Sequence, residues 1–212
     1  MIKSLLFFAQ SGAIKEGDKE LGPAFFARLY FLKFGVFILY FLTVAFLYGF
    51  EIFQAMENKA SDSIFLTFLN FVIMAPVLEE LIFRNHLNLK PANLILSVLI
   101  MLFVYWGDGF TFVMLGYFAL VWLVKNNKGP KTKLFLIYLS SMLFGFAHYY
   151  QIIDWSNMET LSMFFLRSFP HVFAGLIYAY LYFRSGGIMA AIFFHAFWNL
   201  VPFFKVWMDR VF

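Results

Sequence analysis

SIFLTFLNFVIMAPVLEELIFR, residues Ser63 to Arg84, decides how this chain is to be read. Sixteen uncharged residues, Ser63 to Leu78, run directly into two carboxylates, Glu79 and Glu80, and a guanidinium, Arg84. The apolar run is long enough to enter a bilayer as a helix, and ionisable groups at membrane depth are costly and are kept for a function. Around this stretch the whole chain has the same character. Hydrophobic residues make up 63% and charged residues 13% of 212, with 33 Phe, against about 45–50% apolar and about 25% charged in an average globular domain.

Composition therefore predicts an all-α, polytopic membrane helix bundle. At about 20 residues per span, the chain holds about seven helices, with eight as the alternative count. The expected spans are 27–50, 63–89, 91–106, 110–124, 134–153, 160–183 and 188–207. The third and fourth are short, and Gly107-Asp108-Gly109 between them reads as the turn of a helical hairpin. Residues 1–26 form an expected N-terminal cytoplasmic or interfacial segment, because Leu5 to Ala9 is too short for a signal-peptide core. Residues 27–212 form one transmembrane helical domain.

Charge alternates between the loops. Lys3, Lys15, Lys19, Arg28 and Lys33 precede or open the first span, Arg84 and Lys90 close the second, Lys125, Lys128, Lys131 and Lys133 follow the fourth, and Arg184 closes the sixth. The opposite loops carry Glu51, Glu57, Asp62, Asp108, Asp154 and Glu159, with Lys59 as their one base. The positive-inside rule then places the N-terminus in the cytoplasm and, after seven spans, the C-terminus outside. The formal net charge of +4 is dispersed between apolar runs, which argues for topology and against nucleic acid. There is no cysteine, so disulfides, thiolate metal sites and a cysteine nucleophile are excluded.

Three polar groups interrupt the apolar background. On a helix Glu80 and Arg84 stand at i and i+4 on one face and predict a charge-assisted pair, while Glu79 is turned about 100° away. Phe144-Gly145-Phe146-Ala147-His148 ends in an imidazole, and His195-Ala196-Phe197-Trp198-Asn199 sets imidazole and carboxamide at i and i+4. Singly, each reads as packing: an interfacial ion pair, a hydrogen-bonded histidine, a helix-joining asparagine. Together they are the parts needed for attack of water on an amide, namely a base, a helper and oxyanion donors. HExxH, GxGxxG, P-loop and GxSxG motifs are missing from the sequence.

EELIFR fits EExxxR, FGFAH fits FxxxH and HAFWN fits HxxxN, and in this order the chain is similar to the CPBP family, the CAAX prenyl endopeptidases and their bacterial relatives in bacteriocin processing and immunity. The resemblance covers about residues 64–204. Asn85 departs from the glycine that many members carry there, which bears on local packing. The resemblance implies a membrane-embedded endopeptidase in which Glu79, with His148, activates water, His195 and Asn199 stabilise the oxyanion, and Glu80 with Arg84 supports the site. No metal is expected, since Asn199 suits an oxyanion hole better than a metal shell; the alternative is zinc on Glu79, His148 and His195. The expected partners are the lipid bilayer and a peptide substrate, either a prenylated protein or a leader-type peptide. Phe, Ile, Lys and Asn usage points to a bacterial inner membrane.

Other residues are assigned from the pattern alone. Arg167 and His171 flank Pro170 on one helix face, where they either bind an acidic group of the substrate or satisfy carbonyls freed by the proline. His86 reads as interfacial, and Trp106, Trp122, Trp155, Trp198 and Trp207 as lipid-facing. At about 1.5 Å rise per residue, Glu79 and His195 reach similar depths, whereas His148 comes out about 6 to 10 Å too deep. Two further function classes are a noncatalytic immunity or scaffold protein keeping the fold, and a small proton-coupled transporter, which inverted repeats would favour and which this sequence does not display.

Overall fold

A computed structural model describes residues 1–14, 21–48, 63–127, 129–152 and 157–211. The loop charges at Lys15, Glu16, Asp18, Lys19, Glu20, Glu51, Glu57, Lys59, Asp62, Lys128 and Asp154, together with Trp155, lie outside these residues.

Each of the apolar runs is helical, and no strand occurs among the described residues. A short amphipathic helix, α1 (Ile2–Ser11), precedes α2 (Pro23–Tyr48). The decisive stretch then forms one rod of α3 (Ile64–Phe68), a π-helical turn (Leu69–Met74) and α4 (Ala75–Phe83), closed by a 3-10 turn (Asn85–Asn88). There follow α5 (Pro91–Tyr105), α6 (Phe110–Val124), α7 (Pro130–Ala147), α8 (Met158–Ser185) and α9 (Met189–Val211). Four of these segments are long and apolar enough to cross a membrane: 23–46, 64–88, 160–185 and 189–210. The α5 and α6 helices, 15 residues each, reach about 22 Å, short of the roughly 30 Å hydrocarbon core. Their turn is built as the glycines suggested. Gly107 has φ 78°, Asp108 accepts from the Phe110 amide at 3.0 Å, and the Tyr150 hydroxyl donates to the other oxygen of Asp108.

Helix α8 is the centre of the bundle. It packs on α1, α2, α7 and α9, and Ile177, Tyr178, Ala179, Tyr180 and Leu181 are all buried. Phe31, Phe46, Phe103 and Phe112 point outward instead, the inverse of a water-soluble core and the pattern expected where lipid is the solvent.

The α7 and α8 backbones approach closely at two glycines. A Cβ added at Gly145 would lie 2.5 Å from Val172 Cγ2 and 2.8 Å from the Ser168 carbonyl oxygen. One added at Gly175 would lie 3.0 Å from both Arg84 Nη2 and Ser141. Small residues are what permit such contact between apolar helices.

The rod carrying Glu79 is irregular for a traceable reason. In its π register the Ala75 amide donates to the Asn70 carbonyl, five residues back. The next such bond, from residue 76 to the Phe71 carbonyl, cannot form because Pro76 has no N–H. That carbonyl is taken by Asn199 Nδ2 of α9 at 3.0 Å. Pro170 acts likewise in α8, where the helix continues through it. It frees the carbonyl of Leu166, which accepts from the Tyr40 hydroxyl of α2. A hydroxyl from another helix thus answers the carbonyl that Pro170 frees.

Gly145→Ala is expected to lower stability by about 1–3 kcal/mol through overpacking. Gly116→Ala, where the added carbon meets nothing within 4 Å, should be neutral or slightly stabilising. Thermal unfolding of both variants in detergent checks this contrast.

Candidate active site

Glu79 and Glu80 leave α4 in different directions and meet different partners, as their rotation on the helix requires. The Glu80 side chain is fully buried. Its Oε2 faces Arg84 Nε at 3.4 Å, and its Oε1 accepts from His195 Nδ1 at 2.9 Å. The guanidinium of Arg84 is buried as well, 4.2 Å above the Phe144 ring. The pair read from the sequence is therefore present, and it has a third member: the same carboxylate orients His195. Nothing within Glu79 to Arg84 could show that, because His195 comes from a helix 115 residues away.

Glu79 is about a quarter exposed, and what it is exposed to is a cavity of about 550 Å³. Its Oε2 lies 3.9 Å from His148 Nε2 and 3.7 Å from His195 Nε2. These spacings exceed a hydrogen bond, and Glu79 Oε2 is a buried oxygen left without a hydrogen-bond partner. His148 Nδ1 faces the Phe144 carbonyl oxygen at 2.8 Å. A carbonyl only accepts, so Nδ1 carries the proton and, in neutral His148, Nε2 presents its lone pair to Glu79.

His148 nevertheless comes within 3.9 Å of Glu79, so the excess depth counted from the sequence is not present. Its ring folds back over the preceding turn of α7, toward the helix N-terminus, as helical side chains do.

Asn199 lines the same cavity. One of its two amide N–H groups is spent on Phe71, which leaves the other for the cavity. His171 lines it too and stacks on His148, with ring centroids 3.9 Å apart and planes at 26°. The Tyr149 hydroxyl is 3.3 Å from His171 Nε2. Arg167 is not part of the cavity wall, so the structure separates the two members of this expected pair.

Four sequence readings are revised by the bundle. His86, read from the sequence as interfacial, is fully buried within the protein, held between the Ile82 carbonyl at 3.0 Å and the Tyr117 hydroxyl at 2.5 Å. Trp198 faces the cavity wall and not lipid, whereas Trp106 is 80% exposed as expected. Lys33, assigned to the cytoplasmic rim, is 4% exposed and lines the cavity. At Asn85 packing is kept by a reciprocal amide clasp: its Nδ2 donates to the Asn93 carbonyl at 3.2 Å, and Asn93 Nδ2 donates to the Asn85 carbonyl at 3.3 Å.

The zinc alternative can be tested on these donors. Glu79, His148 and His195 are the right kind of ligands, and the Nδ1 bonds resemble those that orient metal-bound imidazoles. A tetrahedral zinc with bonds of about 2.1 Å holds its donors about 3.4 Å apart, a few tenths of an ångström less than the separations found. Among the described residues no group of three or more His, Asp or Glu side chains is placed to hold a metal ion. The three are the kind of donors that hold zinc, and the two separations from Glu79 exceed the tetrahedral spacing by a few tenths of an ångström.

The model of one protein family, described as type II CAAX prenyl endopeptidase Rce1-like, matches residues 61–201. No curated protein and no solved structure matches the chain.

Arg84→Met strands a buried carboxylate and should cost about 3–5 kcal/mol. Adding Glu80→Gln removes the stranded charge while keeping an acceptor for His195, so the double variant should recover part of the loss. Chemical or thermal denaturation of the wild type and the two variants in detergent gives the comparison.

Proposed function

Since this chain belongs to the type II CAAX prenyl endopeptidase Rce1-like family and is thereby an integral membrane protein of a peptidase family, we propose that it hydrolyses a peptide bond within or near the membrane, with Glu79 as the base. The observation that supports this most is the placement of Glu79 Oε2 within 4 Å of two imidazole Nε2 atoms inside one cavity.

The chemistry follows from the atoms. Water seated among Glu79, His148 and His195 donates one hydrogen bond to the lone pair of His148 Nε2 and gives a proton to Glu79. Its oxygen then bonds the scissile carbonyl carbon, and the carbonyl π electrons move onto oxygen. That oxyanion is held by the remaining N–H of Asn199 and by Nε2–H of His195, present when this imidazole is charged. Glu80, accepting from Nδ1, stabilises the charged ring. Collapse of the tetrahedral species expels the amine, which takes its proton from Glu79.

His195 is where a metal-dependent reading differs. There Nε2 must be unprotonated, whereas oxyanion binding needs it protonated. A chelator therefore separates the two.

The substrate class we infer is a peptide, prenylated or leader-type, presented from the bilayer. The proposed frame is an N-terminal segment, residues 1–26, on the cytoplasmic side, and a transmembrane domain, residues 27–212, with the family core over about 64–204. The proposed location is a bacterial inner membrane. His171 is proposed as wall and packing partner of His148.

Purified wild type and Glu79→Gln should be compared on a library of membrane-anchored peptides, with and without chelator. Cleavage by the wild type, a loss of about 10³-fold or more in the variant as expected for a water-activating base with its electrostatic role, and insensitivity to chelator are the expected results. Equal cleavage by both proteins would remove Glu79 from the mechanism. Loss on chelation alone would favour the metal, and no cleavage by either would favour a noncatalytic immunity or scaffold role.

A further inference from the structure

Lys33 lies on α2, outside the residues matched by the family model, yet its side chain reaches into the site. It is 4% exposed, and its Nζ donates to the Tyr178 hydroxyl at 2.6 Å. An ammonium has three donors. Around the other two stand aromatic faces, with the Trp198 ring centroid 4.1 Å, the Tyr178 centroid 4.5 Å and the Phe194 centroid 5.9 Å from Nζ. Ring faces attract a cation, but they satisfy it less well than an anionic oxygen does in a dry site.

The acids nearby have other partners. Glu80 is bound to Arg84 and His195, and Glu79 faces the two imidazoles. The cavity wall that Lys33 shares with Glu79, His148 and His195 is largely aromatic, including Phe34, Phe37 and Phe144. A buried cation among aromatic faces, in the wall of the cavity that also holds Glu79, His148 and His195, is complementary to a ligand that is apolar and carries one carboxylate.

We propose that Lys33 is a specificity-determining residue that binds a carboxylate of the peptide substrate. The assignment rests on the peptidase reading above. Reach is consistent with it: Tyr178, which holds Lys33, stacks on His195 with centroids 4.4 Å apart and planes at 19°. An extended peptide advances about 3.3 Å per residue, so the carboxylate on Lys33 belongs about two or three residues from the bond cleaved. It is either the C-terminal carboxylate of the peptide or an acidic side chain.

The test uses one fluorescent heptapeptide with an apolar C-terminal half in three forms: the free acid, the C-terminal amide, and the amide with Asp as its penultimate residue. Cleavage is measured with the full-length protein in lipid nanodiscs, for wild type, Lys33→Met and Lys33→Arg. Binding of each peptide to Glu79→Gln is read from tryptophan fluorescence, to which Trp198 beside Lys33 contributes. The wild type should favour the acid over the plain amide by about tenfold or more, the effect of one charge-assisted hydrogen bond, mainly in KM. Lys33→Met should bring this ratio close to one, and Lys33→Arg should retain a preference.

Preference for the Asp-bearing amide over the free acid would assign the carboxylate to a side chain. A loss of cleavage in Lys33→Met with an unchanged acid-to-amide ratio would make Lys33 a structural counter-charge and overturn the proposal. So would equal binding and cleavage of all three peptides by the wild type, whether or not the methionine variant folds. Acid-selective binding by Glu79→Gln without cleavage by the wild type would leave Lys33 standing and remove the peptidase reading.

Discussion

The buried carboxylate of Glu80 is the constraint on which the rest of the site depends. It is shared between Arg84 on its own helix and His195 on α9, so one anion both neutralises a guanidinium and fixes the tautomer and direction of an imidazole. Burying such a group is expensive unless it is paired with opposite charge. The fold accommodates it with Phe144 beneath the guanidinium and with Gly175, whose missing side chain leaves room for Arg84 Nη2. Because His195 is held from behind, its Nε2 faces the cavity. Glu79, one residue from Glu80 but on another face, can then meet it.

Breaks in helix regularity do the remaining positioning. Pro76 and the π turn release the Phe71 carbonyl, and Asn199 crosses from α9 to take it. That bond ties the helix of Glu79 to the helix of His195 and, at the same time, directs the carboxamide along the cavity wall. Pro170 releases the Leu166 carbonyl to Tyr40, which joins α2 to α8 beside His171. The close approach of α7 to α8 at Gly145, three residues before His148, brings that imidazole against His171. In the two proline cases a polar backbone group that lipid could not satisfy becomes a joint between helices.

Much of this was legible in the sequence, and its limits have a common cause. Apolar run lengths found the helices, and the i, i+4 spacing found the Glu80–Arg84 pair, because both are properties of a single helix. Motif order pointed to His148, His195 and Asn199, which line one cavity. What one helix cannot reveal is which neighbour covers it. Lys33 and His86 looked like rim residues because they sit near charges in sequence. They are buried because Tyr178 and Tyr117, on other helices, provide partners. Trp198 was assigned to lipid for the same reason, and the depth of His148, counted along its own helix, was overestimated. Arg167 and His171 share a helix face by spacing, but only His171 reaches the cavity wall.

Direct attack by water, with Glu79 as base and not as nucleophile, is the central chemical claim. It is tested by a single turnover in ¹⁸O-water with enzyme in excess over a cleavable membrane peptide, followed by mass spectrometry of the product and of the enzyme peptide containing Glu79. One ¹⁸O in the new carboxylate of the product and none on Glu79 is the expected result. Label on Glu79, which requires an anhydride between its carboxylate and the substrate acyl group, would contradict it.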